Sequence, residues 1–358
     1  VLERYTAEHP RAGQSFKLSD RDSGVLALRS DFTPALARLV RAGLPDHASR
    51  SGRGLRLQYA GKVWHAIDPE LARTREFTQI GLELIGVSNA RADAELIHLA
   101  RESVRAVGLS PRVEVGNPGF VRALFNRAEV PEEMRDLLAD AIDRKDVSEV
   151  RMHLDVLSVD ANVAGALEAV CDLYGDTSVL REARRLAPWA ETEREIDRLV
   201  DVIEQFEDAS ELLIDLGMAR RLSYYTGVTF RAYTFDFGQP LLGGGRYDGA
   251  LLPFAAGFSL GLERLMEAMP RPAGPAAPLV LSTDDEGARR LRAAGFAVVR
   301  SLHPDGDSAR TEAQSVGAKY VLHDYLEPIA DSEADDAERN ELESVLTGTS
   351  SIATGRRP

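Results

Sequence analysis

The stretch Thr74–Gly86, "TREFTQIGLELIG", decides how the chain is read. Taken as a β-strand, it places Thr78, Ile80, Leu82 and Leu84 on one face and Phe77, Gln79, Gly81, Glu83 and Ile85 on the other. The first is a core face. The second carries Gln79 and Glu83 about 13 Å apart at Cα, at about 3.3 Å per residue, with no side chain at Gly81 between them. Such a face is a floor with a polar post at each end. The plain alternative is a solvated sheet face with Gly81 marking a β-bulge.

The 358 residues are enough for two or three domains and a substantial core. No apolar run approaches the ~18 residues of a membrane span, and the start "VLERYTAEHP" lacks the basic-then-apolar pattern of a signal peptide. A single cysteine, Cys171, excludes an intrachain disulfide and agrees with a reducing cytoplasm. The formal net charge of -14 argues against a protein whose main work is gripping polyphosphate. The chain starts without methionine and soon enters a hairpin pattern, so part of the fold is expected to precede Val1.

Outward from the quoted stretch, Phe16 to Gly86 is strand-rich with one helix, "TPALARLVRAGL", which Thr33 is placed to cap with Pro34 in its first turn. A second helix, "ADAELIHLARESVRAVGL", leads into the strand "RVEVGN". From Pro118 to about Asp208 the pattern is amphipathic and helical without strand signals. Strands resume at "LLIDLGMARRLSYYTGVTFRAYTF" and run through a glycine-rich turn to "AAGFSLGLERLMEAM". The expected fold is α+β: a core of residues 1–117 and 209–269 built on an antiparallel sheet with flanking helices, and a helical insertion at 118–208. After the linker "PRPAGPAAP", residues 279–328 read as a small βαβαβ unit, and 329–358 as a poorly ordered tail.

Several stretches invite chemistry and carry none by themselves. "LLGGGRYDGALL" lacks the lysine of a phosphate-binding loop, and its glycines also suit a hairpin. "STDDEG" fits a capping box from Thr283 to Glu286 better than an acidic metal site. The seven histidines are scattered, with His98 and His153 expected on helix surfaces; no metal and no cofactor is expected.

Together, "LALRSDFTPALARL", "REFTQIGLELIG", "ARRLSYYTGVTF", "GGGRYDG" and "GFSLGLERL" resemble the ordered landmarks of the histidyl-tRNA synthetase catalytic core, a class II aminoacyl-tRNA synthetase fold. The resemblance covers about residues 1–268, and residues 279–328 resemble a shortened anticodon-binding unit. It implies a histidine pocket floored by this strand: Gln79 for the α-amino or carboxylate end, Glu83 for an imidazole nitrogen, Asp31 and Thr33 for the α-amino group, Arg220 for the carboxylate, and Tyr225 and Tyr247 near the ring. Carboxylate for ammonium, guanidinium for carboxylate and a second carboxylate for the ring N–H make a sound receptor.

The nucleotide half departs from the synthetase pattern. His65 and Ile67 in "GKVWHAID" stand where a phosphate-binding arginine and a glutamate are expected, and neither offers a permanently charged fork. "RRLSYY" replaces the expected "RGLDYY", putting Arg221 for glycine and Ser223 for aspartate, while Arg264 in "GLERL" keeps a motif-three arginine. Without the electrostatic support of the transferring phosphorus centre, adenylate formation is expected to fail.

A kept amino-acid half and a damaged nucleotide half, with the "RSDFTP" segment, are most similar to the regulatory subunits of ATP phosphoribosyltransferase. That resemblance implies a chain without catalysis of its own, acting in the cytoplasm as a histidine sensor in histidine biosynthesis. Its implied partners are the short-form catalytic subunit and L-histidine, in a homodimer within a hetero-oligomer, with tRNA not among them. The alternatives are an authentic histidyl-tRNA synthetase, with Arg73, Arg75 or Arg221 replacing the lost arginine, and an RNA-binding module, which the acidic balance disfavours.

Overall fold

A computed structural model describes residues 2–4, 12–21, 24–44, 54–68, 74–219, 224–235, 237–269, 279–329 and 336–348. The chain divides into two units, Val1–Pro270 and Arg271–Pro358.

In the first unit, β1 (Leu2–Arg4), β2 (Lys17–Ser19) and β3 (Val25–Leu28) form a small antiparallel sheet of order β1-β3-β2. Helix α1 (Thr33–Gly43) follows, then the antiparallel pair β4 (Leu55–Trp64) and β5 (Glu76–Ile85). Helix α2 (Ala90–Arg105) leads into β6 (Arg112–Gly116). Next come α3 (Pro118–Arg127), α4 (Glu132–Asp143), α5 (Val147–Leu157), α6 (Ala161–Ala169), strand β7 (Tyr174–Gly175), α7 (Val179–Leu186) and α8 (Ala190–Ile203). The unit closes with β8 (Leu212–Asp215), β9 (Thr229–Thr234), β10 (Phe237–Arg246), β11 (Ala255–Gly261) and α9 (Leu262–Ala268).

Strands β4 to β11 form an eight-stranded sheet of order β4-β5-β11-β10-β9-β6-β8-β7. It is antiparallel except where β6 lies beside β8. Parallel neighbours need a long crossover, and the helical block after β6 is that crossover. Its Phe120, Leu124, Leu138, Ile142 and Leu199 share one core with Val113, Val115, Ile214 and Phe258 of the sheet. Each such fully buried side chain contributes about 1.5–3 kcal/mol. The block is not free of strands: Tyr174–Gly175 pairs with β8 and ends the sheet.

Strand β5 shows the expected alternation with an unexpected balance. Leu84 enters the shared core, and Ile80 and Leu82 pack partly buried against it. The polar face is the more deeply buried of the two, with Gln79 5% and Glu83 3% exposed. The solvated-face alternative therefore fails, and so does the bulge, because β5 pairs without a register break with β4 and β11 through Gly81.

Helix α1 begins one residue earlier than a threonine cap requires. Phe32 is the N-cap and its own side chain makes no capping bond, and Thr33 is the first helical residue. Asp31 Oδ1 accepts from the Thr33 amide at 3.2 Å instead. The Thr33 hydroxyl, freed from capping, serves the pocket described below.

The second unit runs β12 (Val280–Ser282), α10 (Asp285–Ala293), β13 (Val298–Arg300), α11 (Gly306–Ser315), β14 (Tyr320–Leu322), β15 (Leu326–Pro328) and α12 (Asp336–Thr347). Its sheet has the order β13-β12-β14-β15, parallel over the first three strands and antiparallel at β15. The α10 cap is Asp284, accepting from the amides of Glu286 and Gly287, so the expected Thr283 box is displaced by one residue. The tail expectation is corrected as well. Residues 336–347 are helical, and Leu342, fully buried, packs with Val345 and Leu346 into the core of this unit. Three apolar residues at i, i+3 and i+4 give even an acidic segment a face to bury. The linker at 270–278 lies outside the described residues.

Candidate functional site

The polar face of β5 floors a pocket of about 720 Å³. Strand pairing sets its geometry, since Gln79, Gly81 and Glu83 lie opposite Gly261, Ser259 and Gly257 of β11 on one side and Gly61, Tyr59 and Leu57 of β4 on the other. Gly257 is required for the Glu83 post: a Cβ there would lie 2.0 Å from Glu83 Oε2. The glycine lets a buried carboxyl sit against the neighbouring strand.

Glu83 Oε1 accepts from the Thr33 hydroxyl at 2.7 Å and Oε2 from the Tyr247 phenol at 2.6 Å. Burial pushes its carboxyl up to about 8, and the nearby Asp31 charge adds to the shift while the two hydroxyls oppose it. At the other post, Gln79 Nε2 donates to Ser259 Oγ at 3.1 Å and reaches Asp31 Oδ1 at 3.4 Å, while its Oε1 accepts from the Phe32 amide at 3.3 Å. Asp31 also lies 3.3 Å from the Thr33 hydroxyl. One hydroxyl has one proton to give, and the shorter contact to Glu83 takes it.

The wall near Glu83 is aromatic. Tyr247 stacks on Tyr224 at 5.3 Å between ring centroids, and Tyr224 meets Tyr225 edge-on at 5.0 Å. Burial pushes the phenols of Tyr224 and Tyr247 well above their ordinary range, so both remain donors at neutral pH. The Tyr225 carbonyl accepts from Arg122 at 2.6 Å, which ties this loop to α3.

His65 and Ile67 line the same pocket with Arg264. His65 is buried, with Nε2 2.9 Å from the Ser30 carbonyl and its ring edge-on to Phe77. A carbonyl only accepts, so Nε2 carries the proton. Ile67 uses its main-chain oxygen to accept from Arg75 at 2.7 Å, and Arg264 donates to the Pro240 carbonyl at 2.9 Å.

The structure brings together Asp31, Thr33, Gln79, Glu83, Tyr225 and Tyr247, along with His65, Ile67 and Arg264. Arg220 lies outside the described residues, as do Arg73, Arg221 and Ser223. Among the lining residues not singled out from sequence are Tyr59, Tyr224 and Ser259. The adjacent tyrosines flagged Tyr224, while Tyr59 and Ser259 become visible only through strand register.

The family model described as histidyl-tRNA synthetase matches residues 1–265. A relative from Thermus thermophilus, named ATP phosphoribosyltransferase regulatory subunit, is 45% identical over 295 residues, 81% of this chain and 79% of the relative. A solved structure titled ATP phosphoribosyltransferase regulatory subunit/histidyl-tRNA synthetase from Bacillus halodurans is 30% identical, covers 90% of this chain and 86% of its own, and has a TM-score of 0.73. Another, titled ATP phosphoribosyl transferase (HisG:HisZ) complex from Thermotoga maritima, is 22% identical, covers 73% and 88%, and has a TM-score of 0.53. At that identity it speaks for the fold alone.

Proposed function

The chain belongs to the family of ATP phosphoribosyltransferase regulatory subunits, class II synthetase-like proteins that are not themselves catalytic, and we propose that it senses L-histidine on behalf of a separate catalytic subunit. The observation that carries this is the buried Glu83 carboxyl, held by two hydroxyls at one end of a pocket whose other end offers Gln79 and Asp31. Among the described residues Glu83 has no cationic partner in an ion pair, so a ring N–H is a fitting complement.

In this reading Glu83 takes an imidazole nitrogen with Tyr247 and Tyr225 beside the ring. Asp31 and Thr33 receive the α-ammonium, Gln79 the amino or carboxylate end, and Arg220 the carboxylate. His65, bonded to the main chain, and Ile67 stand where the synthetase pattern has a phosphate-binding arginine and a glutamate, and neither supplies the fixed charge that phosphate transfer uses.

The partner is the short-form catalytic subunit, in keeping with the regulatory-subunit name of the Thermus thermophilus relative, and the assembly is a hetero-oligomer of the cytoplasm containing a homodimer of this chain. Histidine inhibits by binding the inhibited arrangement of that assembly more tightly than the active one. The test is reconstitution with a catalytic subunit and titration of L-histidine against the rate. Inhibition that disappears with Glu83→Ala supports the reading, and unchanged inhibition in that variant refutes the site.

A further inference from the structure

The ladders of β5, β11, β10 and β9 put Gly81, Ser259, Gly243 and Arg231 in one row across the pocket face of the sheet. Glycines recur on that face, and most are covered by a side chain of the protein itself. Tyr59, opposite Gly81 in the β4–β5 ladder, lies over it so closely that a Cβ there would sit 2.3 Å from its Cζ. A Cβ on Gly257 would strike the Glu83 carboxyl, one on Gly245 would lie 2.7 Å from Thr229 Cγ2, and one on Gly261 would touch the Phe77 ring at 3.4 Å.

Gly243 differs from all of these. A Cβ there would meet the Phe230 carbonyl at 3.6 Å and Arg231 Cγ at 3.9 Å, and no other atom of the described residues beyond its chain neighbours comes within 4 Å. Its φ is not among the positive ones, and the stretch Leu242–Gly245 pairs regularly with both flanking strands. A glycine inside a strand weakens it, and here neither the backbone nor crowding asks for one. The residue lines the pocket of about 720 Å³. Its missing side chain therefore keeps room for something other than protein.

Charge selects which part of the ligand goes there. Asp31 and Glu83 stand at the β5 side of the pocket, and a ligand carboxylate turns away from both. Away from β5 the floor passes the Ser259 hydroxyl and reaches Gly243, about 10 Å from Gly81 at two strand spacings. Arg231 beyond it brings its stem to the site, its guanidinium being bound to Asp143 at 2.8 Å. We propose that Gly243 is a specificity-determining residue: the space above it receives the carboxylate end of the bound amino acid, and a side chain there would exclude that end. This rests on the histidine pocket proposed above and gives the ligand's third group, beside ring and ammonium, its place on the floor.

The experiment compares the full chain with Gly243→Ala by ligand-free thermal melts and by calorimetric titration with L-histidine and with histamine, which keeps ring and amine without the carboxylate. A Cβ in ordinary contact should leave the melting temperature unchanged or raise it by about 1–4 °C. L-histidine should bind about ten- to hundredfold more weakly, and histamine nearly as before. Gly81→Ala supplies the contrast: its Cβ meets Tyr59, so its melting temperature should fall. A lowered melting temperature in Gly243→Ala would make the glycine a requirement of the fold. Unchanged L-histidine affinity would show that nothing rests on it, and equal weakening of both ligands would put another group there; each of these results overturns the assignment. If histamine does not bind the natural chain, the carboxylate is essential to binding, and the loss of L-histidine affinity with an intact melt decides alone. Failure of the natural chain to bind L-histidine would instead count against the pocket's proposed ligand, and with it the place of its carboxylate.

Discussion

Glu83 of β5 and Tyr247, the residue that follows β10, are anchored by strands that are not neighbours, yet their carboxyl Oε2 and phenol oxygen meet at 2.6 Å inside the protein. Both side chains are buried, and the Thr33 hydroxyl holds the other carboxyl oxygen. A carboxyl supplied with two hydroxyl donors and lined by tyrosines is arranged for a ligand rather than for the fold, because an apolar pair of the same shape would stabilise the sheet at least as well.

Replacing that carboxyl separates binding from folding. Glu83→Gln keeps the shape and is expected to weaken L-histidine binding about 10- to 100-fold, the range of a charge-assisted hydrogen bond. Glu83→Ala takes the carboxyl from the buried Tyr247 phenol and leaves the Thr33 hydroxyl with Asp31 alone, at about 1–3 kcal/mol, and should abolish binding in a chain that still folds. Titration beside thermal melts checks both; intact affinity in Glu83→Ala would contradict the imidazole contact.

The raised Glu83 value gives a pH dependence with a definite sign. The folded carboxyl titrates at about 8, against 4.5 for the ordinary group. Between those values the folded chain binds more protons, so the contribution to stability is complete below pH 4.5 and is lost as pH rises through about 8. The ligand-free melting temperature should therefore fall more steeply between pH 6 and 9 in the natural chain than in Glu83→Gln, as melts at matched ionic strength would show. Parallel curves would mean that Glu83 is ionised throughout.

Proton exchange on binding follows from the same group. Free imidazole titrates at about 6.5, so below that value both ring and carboxyl are protonated, and above about 8 neither is. If the bound pair keeps one proton, binding releases a proton at low pH, takes one up at high pH and exchanges almost none in between. Titrations in buffers of different ionisation enthalpy measure that sign change, and a constant proton count from pH 5 to 9 would exclude a shared proton.

Restoring arginine in the nucleotide half should not restore chemistry. His65 is buried against Ser30 and Phe77, and Ile67 supplies only a main-chain oxygen. His65→Arg must place a guanidinium where a buried ring donates to the Ser30 carbonyl, and is expected to destabilise the chain by about 1–3 kcal/mol without producing ATP–pyrophosphate exchange. Measurable exchange would show that the single substitution was all that silenced the site.

The acidic segment after residue 335 is predicted to contribute to the second unit's stability. Leu342→Ala removes a fully buried side chain from the core shared by α10 and α12, at an expected cost of about 2–5 kcal/mol. Hydrogen exchange should report the loss in residues 279–348 and leave the first unit unchanged.

Much of this site was legible from strand alternation. Gln79 and Glu83 share a face because side chains in a strand repeat every two residues, and the structure puts both in the pocket. What Gly81 does was not legible, since Tyr59 reaches it through a pairing register that no local pattern specifies. Thr33 misled for a related reason: a threonine before a proline satisfies the capping pattern, but a buried carboxyl fifty positions along the chain competes for its hydroxyl. The helical block was recognisable from periodicity, whereas the parallel β6–β8 pair that explains its presence needed the sheet order. Helix α12 was missed because acidic composition hid the spacing of Leu342, Val345 and Leu346.

Titration of the purified chain with L-histidine, and separately with ATP and magnesium, tests the central claim most directly. The account predicts saturable binding of L-histidine, lost in Glu83→Ala, and no binding of ATP. Binding of ATP with formation of an adenylate, or absence of any histidine binding alone and with the catalytic subunit present, would contradict it.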